Sequence, residues 1–414
     1  MNLIVICSDY PVIKGNAEFN LLKIQLSAIE SNFKEIFLLP TGLKNSQLKN
    51  SNSEHAIFSD FRSLKANSFI FFGFYFLKNI NCLFQEIKNI SGKKTLLNFW
   101  ISIIAYIKGI YSLTFLKVCL RKNKIDPSKL LIYSFWFNDY ILGALFLKKQ
   151  FPNCKVISGA HGHDLYSDRH LAKRIPFREK AMELIDYVFT DSNEGECYLK
   201  KNNPEFISKI STLNSGVDQK KFETKSSKDG IFRIITLSRT HPVKRIDYLL
   251  KTLKKLESVS DFQIHYFHIG GGKELKYLEE LKDKLNFKFF KINFKGIISD
   301  NESRVFFKEH PIDAFLNVSD SEGTPMALIE GLSYTIPAIV TNVGGNRKIG
   351  KYCKTLLPIM FTPDELFRIL EKIHKEEKYR KQLKALSYNY WEKFHNIEKT
   401  DDEIRGLFLR FIQI

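Results

Sequence analysis

Two glutamates near the ends of apolar runs are the side chains of this 414-residue sequence best suited to bind a polar ligand. Glu322 and Glu330 have seven residues between them in SDSEGTPMALIEGLSYTIPAIVTNVGG (319–345). The pattern predicts a turn at Glu322 and a helix that carries Glu330 about two turns in, capped by Thr324 or a nearby polar group. The free N–H groups at such a helix start suit a diphosphate, and the carboxylates could bind sugar and ribose hydroxyls. On spacing alone, two surface glutamates beside a helix start would fit as well.

Other polar residues also follow apolar runs. Arg239 and Lys244, in SRTHPVKRIDYLL (238–250), could neutralise a leaving diphosphate, although alone they resemble ordinary surface cations. In AHGHDLY (160–166), His161 could hydrogen-bond a sugar hydroxyl or a departing phosphate, and Asp164 could orient an acceptor hydroxyl. A structural role is also open for this segment. Its H-x-H-D spacing is ligand-like for a metal, but it lacks the second Asp-His pair of metallo-hydrolases.

Short apolar strands alternate with amphipathic helices, which indicates parallel sheets covered by helices. The pattern restarts after the polar, Gly-ended stretch 225–230, so we expect two α/β domains in tandem rather than one large sheet. Ligands of such sheets bind beyond the carboxyl ends of the strands, where the residues above lie. The expected strands are 3–8, 35–40, 129–135, 154–161, 186–192, 232–239, 262–272, one within 287–296, 314–321 and 338–345.

The block from 319 to 345 resembles the E-x7-E region of family-4 retaining glycosyltransferases. That family has the GT-B fold, an α/β architecture of two Rossmann-like domains that face each other across a cleft. The resemblance implies that Glu322 lies by the donor sugar and that Glu330 binds the ribose of a nucleotide-sugar. It also implies that Arg239 and Lys244 bind the diphosphate.

Further segments resemble the same family over most of the chain. HIGGG (268–272) resembles its glycine turn, FKGII (294–298) resembles the backbone segment that pairs with the nucleotide base, and AHGHDLY resembles its H-G-x-D motif. The implied donor-binding residues are Gly15, Gly271, Ile297, Gly323, Thr324, Pro325, Met326 and Glu330. The implied catalytic residues are His161, Arg239, Lys244 and Glu322, and the implied acceptor-binding residues are Glu18 and Asp164.

One position departs from the family pattern. Where the family usually has Gly-Gly-x-x-Glu, this sequence has Lys348 after Gly344-Gly345-Asn346-Arg347, so a cation replaces an acid near the donor site. The sequence also contains no D-x-D metal motif. We therefore expect a nucleotide-sugar as substrate, with no cofactor and no metal ion.

The resemblance also implies how the domains are divided. Residues 1–224 would form an acceptor-binding domain, joined by a C-terminal helix at 388–414, and residues 225–387 would bind the nucleotide-sugar. Trp391 and Phe394 would anchor the C-terminal region on the first domain, the alternative being a plain terminal helix on the second.

Charge and apolar patterning indicate the partner. The net charge is +18, and residues 1–125 hold 14 Lys and 2 Arg against 7 acidic residues, which gives +9. Basic charge beside the apolar stretches 69–84 and 96–120 favours an anionic membrane surface over nucleic acid, for which no binding signature is found. Both stretches are expected to be helices, partly core and partly interfacial, rather than spans. Scattered cysteines without C-x-x-C favour a cytoplasmic protein, peripheral at the inner face of the cytoplasmic membrane.

The sequence therefore predicts a retaining, metal-independent hexosyltransferase that acts on a lipid-linked or surface-polysaccharide glycan acceptor, of the exopolysaccharide or lipopolysaccharide type. Two alternatives stay open. A nucleotide-sugar epimerase of similar fold would need no acceptor, and a non-catalytic glycan- or membrane-binding relative would accommodate Lys348.

Overall fold

The computed structural model describes residues 1–12, 17–42, 56–57, 66–90, 95–218 and 222–412. It divides the chain into two compact units. Unit 1 comprises Met1–Asn214 and Asp401–Ile414, and unit 2 comprises Ser215–Thr400.

Unit 1 is built on a seven-stranded parallel sheet with the spatial order β3-β2-β1-β4-β5-β6-β7. Its strands are β1 (Asn2–Cys7), β2 (Ile36–Pro40), β3 (Ala56–Ile57), β4 (Leu130–Ser134), β5 (Lys155–Ala160), β6 (Tyr187–Thr190) and β7 (Ile210–Thr212). Its helices are α1 (Ala17–Ile29), α2 (Ala66–Lys88), α3 (Thr95–Lys122), α4 (Ile141–Gln150), α5 (Arg178–Leu184) and α6 (Asn193–Asn202).

Unit 2 is built on a six-stranded parallel sheet with the spatial order β10-β9-β8-β11-β12-β13. Its strands are β8 (Ile231–Leu237), β9 (Gln263–Ile269), β10 (Lys291–Phe294), β11 (Ala314–Asn317), β12 (Ala338–Thr341) and β13 (Leu356–Leu357). Its helices are α7 (Ile246–Glu257), α8 (Leu275–Leu285), α9 (Asp300–Glu309), α10 (Met326–Ser333), α11 (Asn346–Cys353), α12 (Pro363–Lys375) and α13 (Glu377–Phe394), while α14 (Ile397–Ile412) begins in unit 2 and ends in unit 1.

The central strands are buried on both faces, as expected of parallel sheets covered by helices. Every residue of β4 and β12 is buried, and both strands read as unbroken or nearly unbroken apolar runs. The order of each sheet reverses beside its first strand, so β1 and β4 in unit 1, and β8 and β11 in unit 2, flank a point where ligands bind in doubly wound sheets. The prediction of two parallel α/β sheets is confirmed.

The chain enters unit 2 earlier than residue 225, the boundary expected from the sequence. Val217 accepts a hydrogen bond from the indole of Trp391, and Thr224 bonds to the backbone of Phe307 and Tyr334. These contacts attach Val217 and Thr224 to unit 2, ahead of the stretch 225–230 that was expected to separate the domains.

The C-terminal region also divides at a different place. Trp391 is fully buried in the core of unit 2, and Phe394 packs against the same core, so the expectation that they anchor on the first domain is wrong. The side chains that join the core of unit 1 are Ile404, Leu407 and Phe408 of α14. The apolar pattern alone could not assign the two helices, because both have an apolar face.

The helix α3 has the length and apolar composition to cross a membrane. Of its most apolar 18-residue stretch, 61% is buried within the structure. Its buried side chains include Tyr106, Ile110 and Leu113, which lie in the core of unit 1. The expected helices at 69–84 and 96–120 correspond to α2 and α3.

A close approach between α3 and α4 gives a test of this packing. A Cβ atom added at Gly143 would lie 2.4 Å from the backbone nitrogen of Leu113 and 2.6 Å from Cβ of Ser112. We expect Gly143→Ala to lower the free energy of unfolding by about 1–3 kcal/mol, because the helices would have to separate. Urea unfolding followed by circular dichroism measures the change.

Gly406→Ala is the matched control, since this helical glycine in α14 has nothing within 4 Å of an added Cβ. We expect it to leave stability unchanged or to raise it by about 0.5–1 kcal/mol. Equal stability of the two variants would contradict the close contact between α3 and α4.

Candidate functional site

The predicted donor-binding residues lie at the carboxyl ends of the strands of unit 2. Arg239 follows β8 and is exposed, and Lys244 ends a short 3-10 turn, Pro242–Lys244, that precedes α7. Glu322 lies in the loop after β11. The backbone N–H of Asp320 donates to Val243 O at 3.0 Å, which ties this loop to the turn that carries Lys244.

Lys244 and Glu322, which the sequence placed in two separate segments, form an ion pair. Nζ of Lys244 lies 2.6 Å from Oε1 of Glu322, and the side chain of Glu322 is only 8% exposed. The same oxygen also accepts from Nδ2 of Asn317 at 3.0 Å and from Oγ of Ser319 at 2.7 Å. A nearly buried carboxylate is thus held in one orientation by a cation and two neutral donors.

Asn317 and Ser319 are members of the arrangement around Glu322 that the sequence prediction missed. Oγ of Ser319 contacts Oδ1 of Asn317 at 2.7 Å as well as the carboxylate of Glu322, so the three side chains form one network. The sequence feature that could have identified them is their position at the end of the apolar run of β11. Asn317 lies five residues and Ser319 three residues before Glu322. Both side chains hold the Glu322 carboxylate in position.

Two glycines fix the turn at Glu322 from the opposite side. Gly344 has φ +37°, and a Cβ atom there would lie 1.8 Å from the carbonyl oxygen of Glu322. The backbone N–H of Gly345 donates to Gly323 O at 3.1 Å. The loops after β11 and β12 therefore touch backbone to backbone, which only a residue without a side chain permits.

The turn from Gly323 to Met326 leads into α10, as predicted, but two details differ. The N-cap residue is Pro325, which supplies no side-chain cap, and not Thr324. Because the helix begins at Met326, Glu330 lies about one turn into it rather than two. The first N–H groups of a helix have no partner within the helix and suit an anion, although the N–H of Met326 already donates to Thr324 O at 2.9 Å.

Gly271 and Ile297, predicted from two further segments, lie against each other. A Cβ atom at Gly271 would lie 2.8 Å from Cγ1 of Ile297, and the side chain of Ile297 is 84% exposed. The N–H of Gly270 donates to Gly296 O at 2.8 Å, and the N–H of Thr240 donates to Gly271 O at 2.9 Å. Hydrogen bonds thus join the loops after β8, β9 and β10 into one edge.

Lys348, which replaces the acid of the family pattern, lies on α11. Its Nζ is 4.0 Å from the centroid of the Phe394 ring, a cation–π contact with α13. Lys348 therefore contacts α13, while Gly344 and Gly345 keep their contact with the turn at Glu322.

Glu18, a predicted acceptor residue in unit 1, closes the loop after β1. Its Oε1 accepts the backbone N–H groups of Ser8, Asp9 and Tyr10 at 2.7, 2.8 and 3.1 Å. Its Oε2 accepts the indole N–H of Trp136. The carboxylate is buried and organises this loop. Gly15, predicted to bind the donor, lies outside the described residues.

Asp164 has a comparable role beside His161. Its Oδ1 accepts the N–H of His161 at 3.0 Å, and its Oδ2 accepts the N–H of Phe137 at 2.7 Å. The Asp164 carboxylate therefore holds the loop after β5 in place. Its role in binding the acceptor stays a prediction. Nη2 of Arg178 donates to the carbonyls of Asp164 and Phe137, an arrangement the sequence did not reveal.

His161 lies buried at the carboxyl end of β5. Its ring stacks on Phe135 at 4.5 Å between centroids, meets Trp136 edge to face, and places Nε2 3.1 Å from Phe135 O. Burial lowers the pKa of His161, but the Asp191 carboxylate, 3.7 Å from Nδ1, and to a lesser degree Asp164 raise it by more. The net pKa therefore lies above 6.5.

Among the residues that the structure describes, no group of three or more His, Cys, Asp or Glu side chains is arranged to hold a metal ion. In the H-x-H-D segment, the ring of His163 stacks on His170 at 4.1 Å while His161 points to Phe135.

The raised pKa of His161 gives a second test. NMR titration should show the pKa of His161 raised from its ordinary value in the wild type, and Asp191→Asn should lower it, since the main cause that opposes burial is then removed. Because the pKa is raised by folding, His161 stabilises the fold below about pH 6.5, and this contribution is lost as pH rises through the folded-state value. His161→Phe assigns the resonance, and an unshifted pKa in Asp191→Asn would contradict the proposed cause.

The family match described next falls within unit 2 of the chain. The sequence model of the family described as "Glycosyl transferases group 1" matches residues 217–390. The O-antigen biosynthesis glycosyltransferase WbnH of Escherichia coli is 29% identical over 232 residues, which are 55% of this chain and 63% of the relative. The match therefore spans less than two thirds of the length of that relative.

Solved structures are similar over the full length. The apo lipopolysaccharide outer core galactosyltransferase WaaB has a TM-score of 0.67 at 15% identity and covers 99% of this chain and 100% of its own. Anabaena Alr3699/HepE in complex with UDP has a TM-score of 0.65 at 13% identity, with coverage of 99% and 100%. These likenesses confirm the predicted GT-B class of two Rossmann-like domains, and residues 217–390 match the sequence model of the group 1 glycosyl transferases.

Proposed function

We propose that this protein transfers a sugar from a nucleotide-diphosphate sugar to a lipid-linked or surface-polysaccharide glycan acceptor. The observation that carries the proposal is the Lys244–Glu322 pair, held at the ends of β8 and β11 within the stretch matched by the family model. The named role of WbnH in O-antigen biosynthesis supports the acceptor class.

The donor would bind along the joined loops of unit 2. The diphosphate would lie between Arg239, Lys244 and the start of α10, where two cations and backbone N–H groups meet one anionic group. Glu322 would bind sugar hydroxyls through the oxygen left open by its network, and Glu330 would bind the ribose diol. Gly271 and Ile297, which touch, would flank the nucleotide base.

We propose a retaining and metal-independent reaction. Cleavage of the anomeric bond places negative charge on the leaving diphosphate, and Arg239 and Lys244 supply fixed positive charge where it develops. The acceptor hydroxyl would then attack the oxocarbenium-like sugar from the same face and give its proton to the leaving phosphate. The loops of His161, Asp164 and Glu18 in unit 1 would contribute the acceptor side.

The proposed partner besides the two substrates is an anionic membrane surface, with no nucleic acid, and the proposed location is the inner face of the cytoplasmic membrane. The net charge of +18 supports an anionic partner. Nothing in the relatives described above supports the epimerase alternative.

Donor binding is tested first by thermal shift with UDP-, GDP-, ADP- and dTDP-sugars, without metal and then with Mg²⁺. We expect one nucleotide to raise the melting temperature without metal and Glu330→Ala to abolish the rise. Glu280→Ala, an exposed glutamate on α8, is the matched control and should keep it. No shift with any nucleotide would favour a non-catalytic relative.

Arg239 gives the corresponding test of catalysis. Arg239→Ala should leave less than about 5% of the transfer rate, since loss of one contact to developing charge costs about 2–4 kcal/mol. Arg368→Ala, which removes an exposed arginine at α12, should keep full activity. Near-normal turnover of Arg239→Ala with the preferred donor would remove Arg239 from the mechanism.

A further inference from the structure

The helices α2 and α3 form an antiparallel pair with one face in the core of unit 1. The hydroxyl of Tyr106 donates to Phe76 O at 2.6 Å, and the two rings lie 5.1 Å apart. At a second level, Arg174 binds both the carboxylate of Glu86 and, at 3.3 Å, the hydroxyl of Ser102. The relation of the two helices, and hence of their outward faces, is fixed by these contacts.

The outward side of this pair is apolar. Of the 18 large apolar side chains that are exposed in the described residues, nine lie on α2 and α3, with exposures from 38% to 71%. We call this set the outer face; it consists of Phe71, Phe74, Leu77, Phe84, Leu96, Leu97, Trp100, Ile104 and Ile107. The spacings within 71–77 and within 96–107 are helical, so each helix presents a stripe. Half of the exposed apolar side chains are thus concentrated on a small part of the protein, which marks an interaction surface.

The charge around the outer face is strongly basic. Residues 66–122 contain eight Lys or Arg and one acid, Glu86, so the formal charge is +7, and Glu86 is already paired with Arg174. Lys78 and Lys88 are exposed on α2, and Nζ of Lys78 lies 5.8 Å from the centroid of Phe74. Cations that border exposed aromatic side chains fit a surface that is apolar below and anionic above.

The inward side of the helix pair limits how far the pair could enter a bilayer. Polar residues of α3, among them Asn98, Ser102 and Ser112, are buried within unit 1 together with its apolar core residues. The inner side of α3 is therefore committed to protein, so only the outer face is free to meet lipid. A second copy of the chain would bring +7 against +7, whereas an anionic bilayer neutralises this charge.

We propose that the outer face docks flat on an anionic lipid bilayer, with its aromatic and aliphatic side chains at the boundary of head groups and acyl chains. Lys78 and Lys88 would contact lipid phosphates. The proposal deepens the proposed function, on which it rests for its purpose, because it assigns the surface that would bring the enzyme to a lipid-linked acceptor.

The test is co-sedimentation of the whole chain with vesicles of phosphatidylcholine, with and without phosphatidylglycerol, in the absence of any donor. We expect binding to require phosphatidylglycerol. The combined substitution Leu77→Ser, Trp100→Ser and Ile104→Ser should weaken it at least about tenfold, because three exposed apolar side chains that would enter the bilayer are lost. Lys78→Gln with Lys88→Gln should weaken it while leaving the apolar anchors in place.

The matched control carries Ile207→Ser, Val259→Ser and Val305→Ser, three exposed apolar residues that belong to neither α2 nor α3, and should bind as the wild type does. Lipids with brominated acyl chains should quench tryptophan emission in the wild type and not in Trp100→Phe, which keeps the apolar anchor. The background comes from the other two tryptophans, Trp391, which is buried in unit 2, and Trp136, which donates to Glu18 and packs against His161.

Equal binding by the triple variant and its control, or wild-type binding that ignores lipid charge, would overturn the proposal. Self-association of the wild type that is lost in the triple variant would instead assign the face to a second copy. The nucleotide-induced thermal shift, measured on the same variants, is independent of vesicles, so failure here is distinguishable from failure of the proposed transferase.

Discussion

A carboxylate that is almost removed from water must be held by donors, and the arrangement around Glu322 follows from that requirement. One of its oxygens accepts from Lys244, Asn317 and Ser319. Lys244 lies in the connection that follows β8, and Asn317 and Ser319 lie at the end of the neighbouring strand β11 and just after it. Removing the cation would leave a nearly buried charge held only by neutral donors, which is costly. The pair therefore fixes both the direction of the carboxylate and the place of the ammonium group that faces the proposed diphosphate.

That network needs the loops of unit 2 to lie very close together, and glycines make this possible. Gly344 meets the carbonyl of Glu322, and Gly270, at φ +133°, would place a Cβ atom 1.9 Å from the carbonyl of Ser238. A side chain at either position would separate two loops that follow neighbouring strands. The glycine turns thus act by allowing backbones to touch, and the geometry at Glu322 depends on that contact.

The carboxylates of Glu18 and Asp164 in unit 1 bind backbone N–H groups, whereas the carboxylate of Glu322 binds side chains. Glu18 and Asp164 accept backbone N–H groups and so hold the loops after β1 and β5 in shape. Trp136 connects the two loops, since it donates to Glu18 and packs against His161. An acid near a loop can therefore fix the shape of that loop through backbone N–H groups.

The sequence by itself determined the alternation of strands and helices, the two parallel sheets and the segments at the carboxyl ends of their strands, because apolar periodicity and glycine position are local properties. It missed the short strands β3, β7 and β13, whose two or three residues carry too little pattern. Only the tertiary structure decided that Lys244 pairs with Glu322, that Trp391 belongs to unit 2, and that Glu18 and Asp164 turn inward. Each of these depends on which groups meet across many residues of chain, and the balance of burial and hydrogen bonding at such contacts is not encoded in any single segment.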